Sequence, residues 1–136
     1  MELTLAQLNE AGSSLFPGLL GVEVEQVADG VVRAHLDVHE KHLAPNGFLH
    51  AGAVVSLADT ACGYGSILSL PEGATGFTTI ELKKNFLRTT LKGTTTSETQ
   101  PTHSGRPTHT WAATPGAQGA HAMAALPRPQ RARRRR

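Results

Sequence analysis

Asn46-Gly47-Phe48-Leu49-His50-Ala51-Gly52 leads into an apolar stretch in which Asp59 is the only charged residue from position 51 to position 71. The neighbours of Asp59 are Leu57, Ala58, Thr60, Ala61 and Cys62. Burial disfavours the ionised form of a carboxylate, so an unpaired carboxylate in apolar surroundings is costly unless something uses it. His50, at the mouth of the same stretch, adds a second group able to hold or move a proton. The pair is suited to acid–base or nucleophilic chemistry. Plainer readings stand beside that one. His50 can be a loop residue capping a helix, Asp59 a solvent-facing helical residue, and Asn46 the first half of an ordinary Asn-Gly turn. Cys62 reads as core packing. The seven histidines do not form a convincing metal-ligand set, so neither a metal nor a cofactor is expected.

Several elements must hold these groups. Val54, Leu57, Ala58, Ala61, Cys62, Gly65 and Leu68 recur at three- and four-residue spacing, which predicts a helix from His50 to about Leu70 with one broad apolar face. Small residues dominate it, as a helix wrapped closely by a sheet requires, and Pro71-Glu72-Gly73 ends it. Upstream, 4–10 reads as a short helix capped by Thr4, with Leu5 and Leu8 on one face and a break at Pro17-Gly18. Val22, Val24 and Val27 suggest a strand with Glu23 and Glu25 on its opposite side. The Asp29-Gly30 turn leads into a second strand, where Val32, Ala34, Leu36 and Val38 alternate with polar partners. Downstream, 78–88 alternates again, with Ile80, Leu82 and Phe86 against Thr79, Glu81, Lys83 and Asn85. Beyond Leu91 the pattern weakens: Thr94-Thr95-Thr96 is compatible with a strand but supplies little core, and 106–113 offers only Trp111 as a large apolar residue. Helix, hairpin, long helix, then three or four strands read as an α+β fold, one antiparallel sheet curled around a central helix.

At 136 residues the chain has room for one core, and a single domain over 1–127 is expected, followed by an Arg-rich tail at 128–136. Six of the 13 basic residues lie in that tail, and the remainder carries seven basic against 11 acidic residues. The basic balance therefore belongs to the tail, which reads as solvated and without fixed structure. No aromatics interleave with its arginines, so a base-stacking nucleic-acid site is not indicated. The apolar runs are shorter than a bilayer span, the first residues lack the pattern of a secretory signal, and a lone cysteine cannot form an internal disulfide. A cytoplasmic setting without membrane attachment is expected.

The order of elements, with the 46–52 motif and Leu57-Ala58-Asp59-Thr60-Ala61, closely resembles the hotdog-fold acyl-CoA thioesterases of the PaaI-like family. That family carries a Gly-x-x-His-Gly-Gly loop with an Asp or Glu nine positions after the His, and Gly47, His50, Gly52 and Asp59 fill these places in register. Asn85-Phe86-Leu87-Arg88 is similar to the end of the family's long strand, and His103-Ser104-Gly105-Arg106 with Trp111 is similar to its next hairpin. The resemblance spans roughly 15–112. It departs at three points: Ala51 replaces the first of the paired glycines, Ala44 stands where the family often has Asn or Gln, with Asn46 two positions nearer the His, and Gly63 stands where some relatives have a helical Ser or Thr.

The resemblance implies hydrolysis of an aromatic or medium-chain acyl-CoA in a site built where two subunits of a homodimer meet, such dimers often pairing into homotetramers. Nine helical residues separate His50 from Asp59 by about 13–14 Å, so they cannot reach one carbonyl from within one chain, whereas two antiparallel helices side by side could bring them together. In that scheme Asp59 is general base or nucleophile. The Ala51 N–H polarises the thioester carbonyl at the helix N-terminus, and His50 positions thioester or water. Asn46 is a further catalytic candidate, Gly47 and Gly52 line the substrate, and Ser104, Gly105 and Arg106 are candidates for the nucleotide end of CoA, Arg106 being suited to phosphate. Two competing functions stand beside this one: a hotdog hydratase, which wants a different His/Asp pattern, and a non-catalytic acyl-CoA-binding regulator that uses the Arg tail to hold nucleic acid.

Overall fold

Thr4 opens the first helix. Its hydroxyl accepts from the Gln7 N–H at 3.2 Å, while the Gln7 side chain accepts from the Thr4 N–H at 2.9 Å. This reciprocal cap starts α1 (Leu5–Ser13), which runs three residues beyond the expected end. Pro17 does not break it. Instead Pro17 lies in the first turn of a second short helix, α2 (Phe16–Leu20), where a missing N–H has no helical partner to lose. The computed structural model describes residues 3–28, 30–84, 93–104, 108–114 and 120–125; the Arg-rich tail and the 85–88 part of the expected long strand lie outside them.

Among the described residues, β1 (Glu23–Ala28), β2 (Val31–Asp37), β3 (Thr78–Lys84), β4 (Thr94–Ser104), β5 (Thr108–Thr114) and β6 (Ala120–Ala125) form one antiparallel sheet in the order β1-β2-β4-β5-β6-β3. The expected alternation holds in β2, where Val32, Ala34 and Leu36 are buried and Arg33 and Asp37 exposed. β1 carries a bulge at Glu25, since Val24 faces Ala34 while Gln26 faces Arg33. The extra residue brings both Val24 and Val27 to the inner side despite their three-residue spacing. A second bulge lies in β3, where Thr79 faces Ala124 and Glu81 faces Met123, leaving Ile80 as the extra residue. The alternation expected for this strand fails there: Ile80 is 55% exposed instead of facing the core.

The long helix, α3 (Ala51–Leu68), packs across β2, β4, β5 and β6. Ala53, Leu57, Ala58, Ala61, Cys62, Gly65 and Ser66 are its buried side, and Leu57 and Ala61 join Leu8, Val24, Val32 and Leu36 in the core. At 18 residues α3 is apolar and long enough to cross a membrane by length and composition. The apolar side that makes it so is packed on the sheet. The inner face of β4 is polar, as its threonine-rich sequence foretold: Ser97 and Thr99 are fully buried, Thr99 donating to the Val32 carbonyl at 3.2 Å.

The two sheet edges differ. Asn9 of α1 grips β1 through both groups of its amide, accepting from the Val24 N–H at 2.8 Å and donating to the Val24 carbonyl at 3.0 Å. That side chain replaces part of a neighbouring strand. β3 has β6 on one side and no strand on the other among the described residues.

Candidate active site

Leu43 and Leu49 form a bridge that pinches off a small loop. Within it the Gly47 N–H donates to the Ala44 carbonyl at 2.8 Å and the Ala44 N–H to the Phe48 carbonyl at 2.7 Å. Gly47 has φ 85°, a left-handed conformation that an L side chain resists. The Asn46 carboxamide oxygen accepts from the Phe48 N–H at 3.2 Å, so its side chain serves the turn. This loop delivers the chain to His50, whose N–H donates to the His42 carbonyl at 2.8 Å.

His42 matters here although its sequence context does not mark it. Its ring is buried, Nδ1 accepts from the His39 N–H at 2.9 Å, and Nε2 lies 2.8 Å from the Leu20 carbonyl. With Nδ1 accepting, the neutral ring carries its proton on Nε2, which donates to Leu20. His42 thereby ties the loop before α3 to the end of α2. Only the three-residue spacing from His39 could have signalled this, and the Leu20 partner is 22 positions away.

His50 is the N-cap of α3, its Nδ1 accepting from the Gly52 N–H at 2.8 Å. The capping role and a chemical role are compatible, because the cap uses only Nδ1. The neutral ring then holds its proton on Nε2, leaving one N–H donor on an exposed side chain. A Cβ at Gly52 would sit 2.9 Å from His50 Nδ1, so a larger residue there would push the capping ring aside. Among the described residues nothing accepts from the Ala51 N–H, the first of α3, where the helix dipole favours negative charge.

Asp59 lies two and a half turns further along the same unbroken helix, on the side away from the core. It is half-buried, and it is not the unpaired carboxylate expected: the Thr79 hydroxyl of β3 donates to its Oδ1 at 3.2 Å. Cys62, buried nearby, has its thiol pushed up from 9.0 to about 12 by burial and, secondarily, by the Asp59 charge, so it is a neutral packing group at ordinary pH. Asn46, Gly47, His50, Ala51 and Gly52 therefore gather at one end of α3, and Asp59 stands apart from them in this chain. Ser104 ends β4, while its side chain and the whole of Gly105 and Arg106 lie outside the described residues. A cavity of about 380 Å³ lies near the other end of α3, lined by Leu3, Val27, Val32, Gly65 and Leu68, and contains none of the expected site residues. No cluster of metal-ligating side chains occurs among the described residues.

Residues 46–114 match the family model of the thioesterase superfamily. The proofreading thioesterase EntH of Klebsiella pneumoniae is 32% identical over 110 residues, 81% of this chain and 80% of that protein. The 1,4-dihydroxy-2-naphthoyl-CoA hydrolase of Escherichia coli is 28% identical over 110 residues, again 81% of this chain and 80% of the relative. Among solved structures, that of a mutant thioesterase from Pseudomonas aeruginosa superposes with a TM-score of 0.87 at 29% identity, covering 93% of this chain and 95% of the other.

Proposed function

The chain belongs to the thioesterase superfamily, has its hotdog fold and is a thioester hydrolase, and we propose that it cleaves an aromatic or medium-chain acyl-CoA to free acid and CoA. The Escherichia coli relative, named for hydrolysis of an aromatic acyl-CoA, supports the aromatic side of that class. The observation that carries the mechanism is the N-terminus of α3. There the Ala51 N–H has no acceptor among the described residues, and the Nδ1 cap leaves the His50 Nε2–H exposed. Two donors at the positive end of a helix suit the oxygen of a thioester carbonyl, whose negative charge grows as a nucleophile adds to the carbon.

Asp59 supplies the other half. As general base it removes a proton from water as the water oxygen bonds to the thioester carbon; the C–S bond then breaks, the carbonyl re-forms and the CoA sulfur leaves with a proton. As nucleophile its carboxylate bonds to the same carbon, expels the CoA thiolate and forms an anhydride that water opens. Either route needs Asp59 close to the Ala51 and His50 donors, whereas along one helix it lies about 12–14 Å from them. The site is therefore shared between two subunits. The open edge of β3, its exposed Ile80 and the adjacent outward side of α3 support a dimer in which two β3 strands pair and two α3 helices run antiparallel. Such dimers pair into tetramers. Asn46, Gly47 and Gly52 shape the loop around the thioester, and Ser104, Gly105 and Arg106 hold the nucleotide end of CoA. The domain spans 1–127, and a cytoplasmic setting suits its one cysteine, a buried free thiol.

Thiol release from a panel of acyl-CoAs tests this reading. The wild-type protein is expected to turn over one acyl class, and Asp59→Ala to lose about 100-fold or more of that rate. Single-turnover hydrolysis in ¹⁸O-water tests the nucleophilic route, since label found in Asp59 requires an anhydride opened at the Asp59 carbon. Folded wild-type protein without turnover on any acyl-CoA refutes the substrate class.

A further inference from the structure

Resting on the site proposed above, we infer that Thr79 is a positioning residue for Asp59, delivered from the sheet by the bulge in β3. Three observations converge on it. The Thr79 hydroxyl donates to Asp59 Oδ1 at 3.2 Å across 20 positions of sequence. The extra residue of the bulge, Ile80, follows immediately, and a bulge at a sheet edge breaks the alternation and re-aims the side chain beside it. Two residues before Thr79, the Phe77 ring lies over α3 at Gly63, its Cζ 3.1 Å from where a Cβ would stand.

Gly63 and Asp59 are four residues apart and share one side of α3. Phe77 and Thr79 are two apart and share one side of an extended segment. The strand entry thus meets the helix at two points one helical turn apart. The missing side chain at Gly63 lets the ring approach, and the ring sets the depth at which the Thr79 hydroxyl reaches the carboxylate. Holding Oδ1 restricts rotation of the carboxylate and leaves Oδ2 for water or the thioester carbon. A carboxylate free to rotate spends less time aligned with its target, which lowers the rate of the chemical step more than it weakens binding.

Thr79→Val keeps the shape of the side chain and removes the donor; Thr79→Ser keeps the donor. Steady-state kinetics on the acyl-CoA that the wild type cleaves should show kcat lowered about 10-fold in Thr79→Val, with KM within about two-fold, and most of the rate recovered in Thr79→Ser. Loss of rate in both variants alike, or none in Thr79→Val, overturns the inference. The rotamer of Asp59, read from three-bond NMR couplings in the whole protein, tests it without turnover. One rotamer in wild type and Thr79→Ser, with averaging in Thr79→Val, is the expected result, and a single rotamer in all three overturns it. A wild type inactive on every acyl-CoA removes the proposed substrate class, and the couplings still decide the role of Thr79.

Discussion

His50, Gly52 and Cys62 show how far single side chains are constrained by what touches them. The His50 ring and the Gly52 amide define each other, since the ring caps the helix and occupies the space a larger residue at 52 would need. Cys62 shows the reverse case, a reactive group silenced by its surroundings. Its thiol titrates near 12 when folded against an ordinary value of 9.0. Between those values the unfolded chain has released a proton that the native chain retains, so unfolding is favoured by rising pH. Stability is expected to fall by up to about 1.4 kcal/mol per pH unit in that window, and Cys62→Ala to lose this part of the slope. Tyr64, whose phenol is also pushed up by burial, adds in the same direction in both proteins. Urea unfolding at several pH values above 9.0 measures the difference between the two slopes.

At the scale of elements, β4 turns a polar inner face, Ser97 and Thr99, into the core beneath α3. Thr94-Thr95-Thr96 already indicated a strand that supplies little core, because a β-core normally wants Val, Ile, Leu or Phe on its inner face. The structure adds the cost: Ser97 is fully buried, and among the described residues its hydroxyl has no hydrogen-bond partner, as is also true of Ser66 on the helix. A buried donor left unpaired loses its hydration without return. Ser97→Ala removes that penalty without adding volume, and is expected to stabilise the fold by about 1 kcal/mol and raise Tm by a few degrees. Thermal unfolding followed by circular dichroism checks it. Thr99, which donates to the Val32 carbonyl, is expected to behave oppositely, Thr99→Ala costing roughly 1 kcal/mol or more.

For the whole molecule, the division of labour along α3 gives a test that only a shared site can pass. His50→Ala and Asp59→Ala each remove one half of every site in a homodimer. A mixed dimer of the two restores one complete site and concentrates both defects in the other. Random mixing makes about half the dimers mixed, with one working site of two in each, so co-expressed variants should recover about a quarter of wild-type turnover. Recovery indistinguishable from the separate variants excludes the shared site. The same experiment on a size-exclusion column with light scattering reports whether the active species is a dimer or a tetramer.

Much of this protein was legible along the chain because it is encoded locally. α3, its start at the His50-Ala51-Gly52 motif, and the β1–β2 hairpin depend on spacings of two to four residues and on a Gly-containing turn, which a sequence displays directly. The candidate site was picked out by the register of Gly47, His50, Gly52 and Asp59, a pattern carried by the sequence itself. What joins distant segments was decided by the tertiary structure alone. Thr79 on Asp59, Asn9 on Val24 and His42 on Leu20 close gaps of 20, 15 and 22 positions, and no local pattern joins one partner to the other. The bulges at Glu25 and Ile80 belong to the same class. Each reverses the face that simple alternation predicts, and each is recognised only by the register of the paired strand, where two residues oppose one.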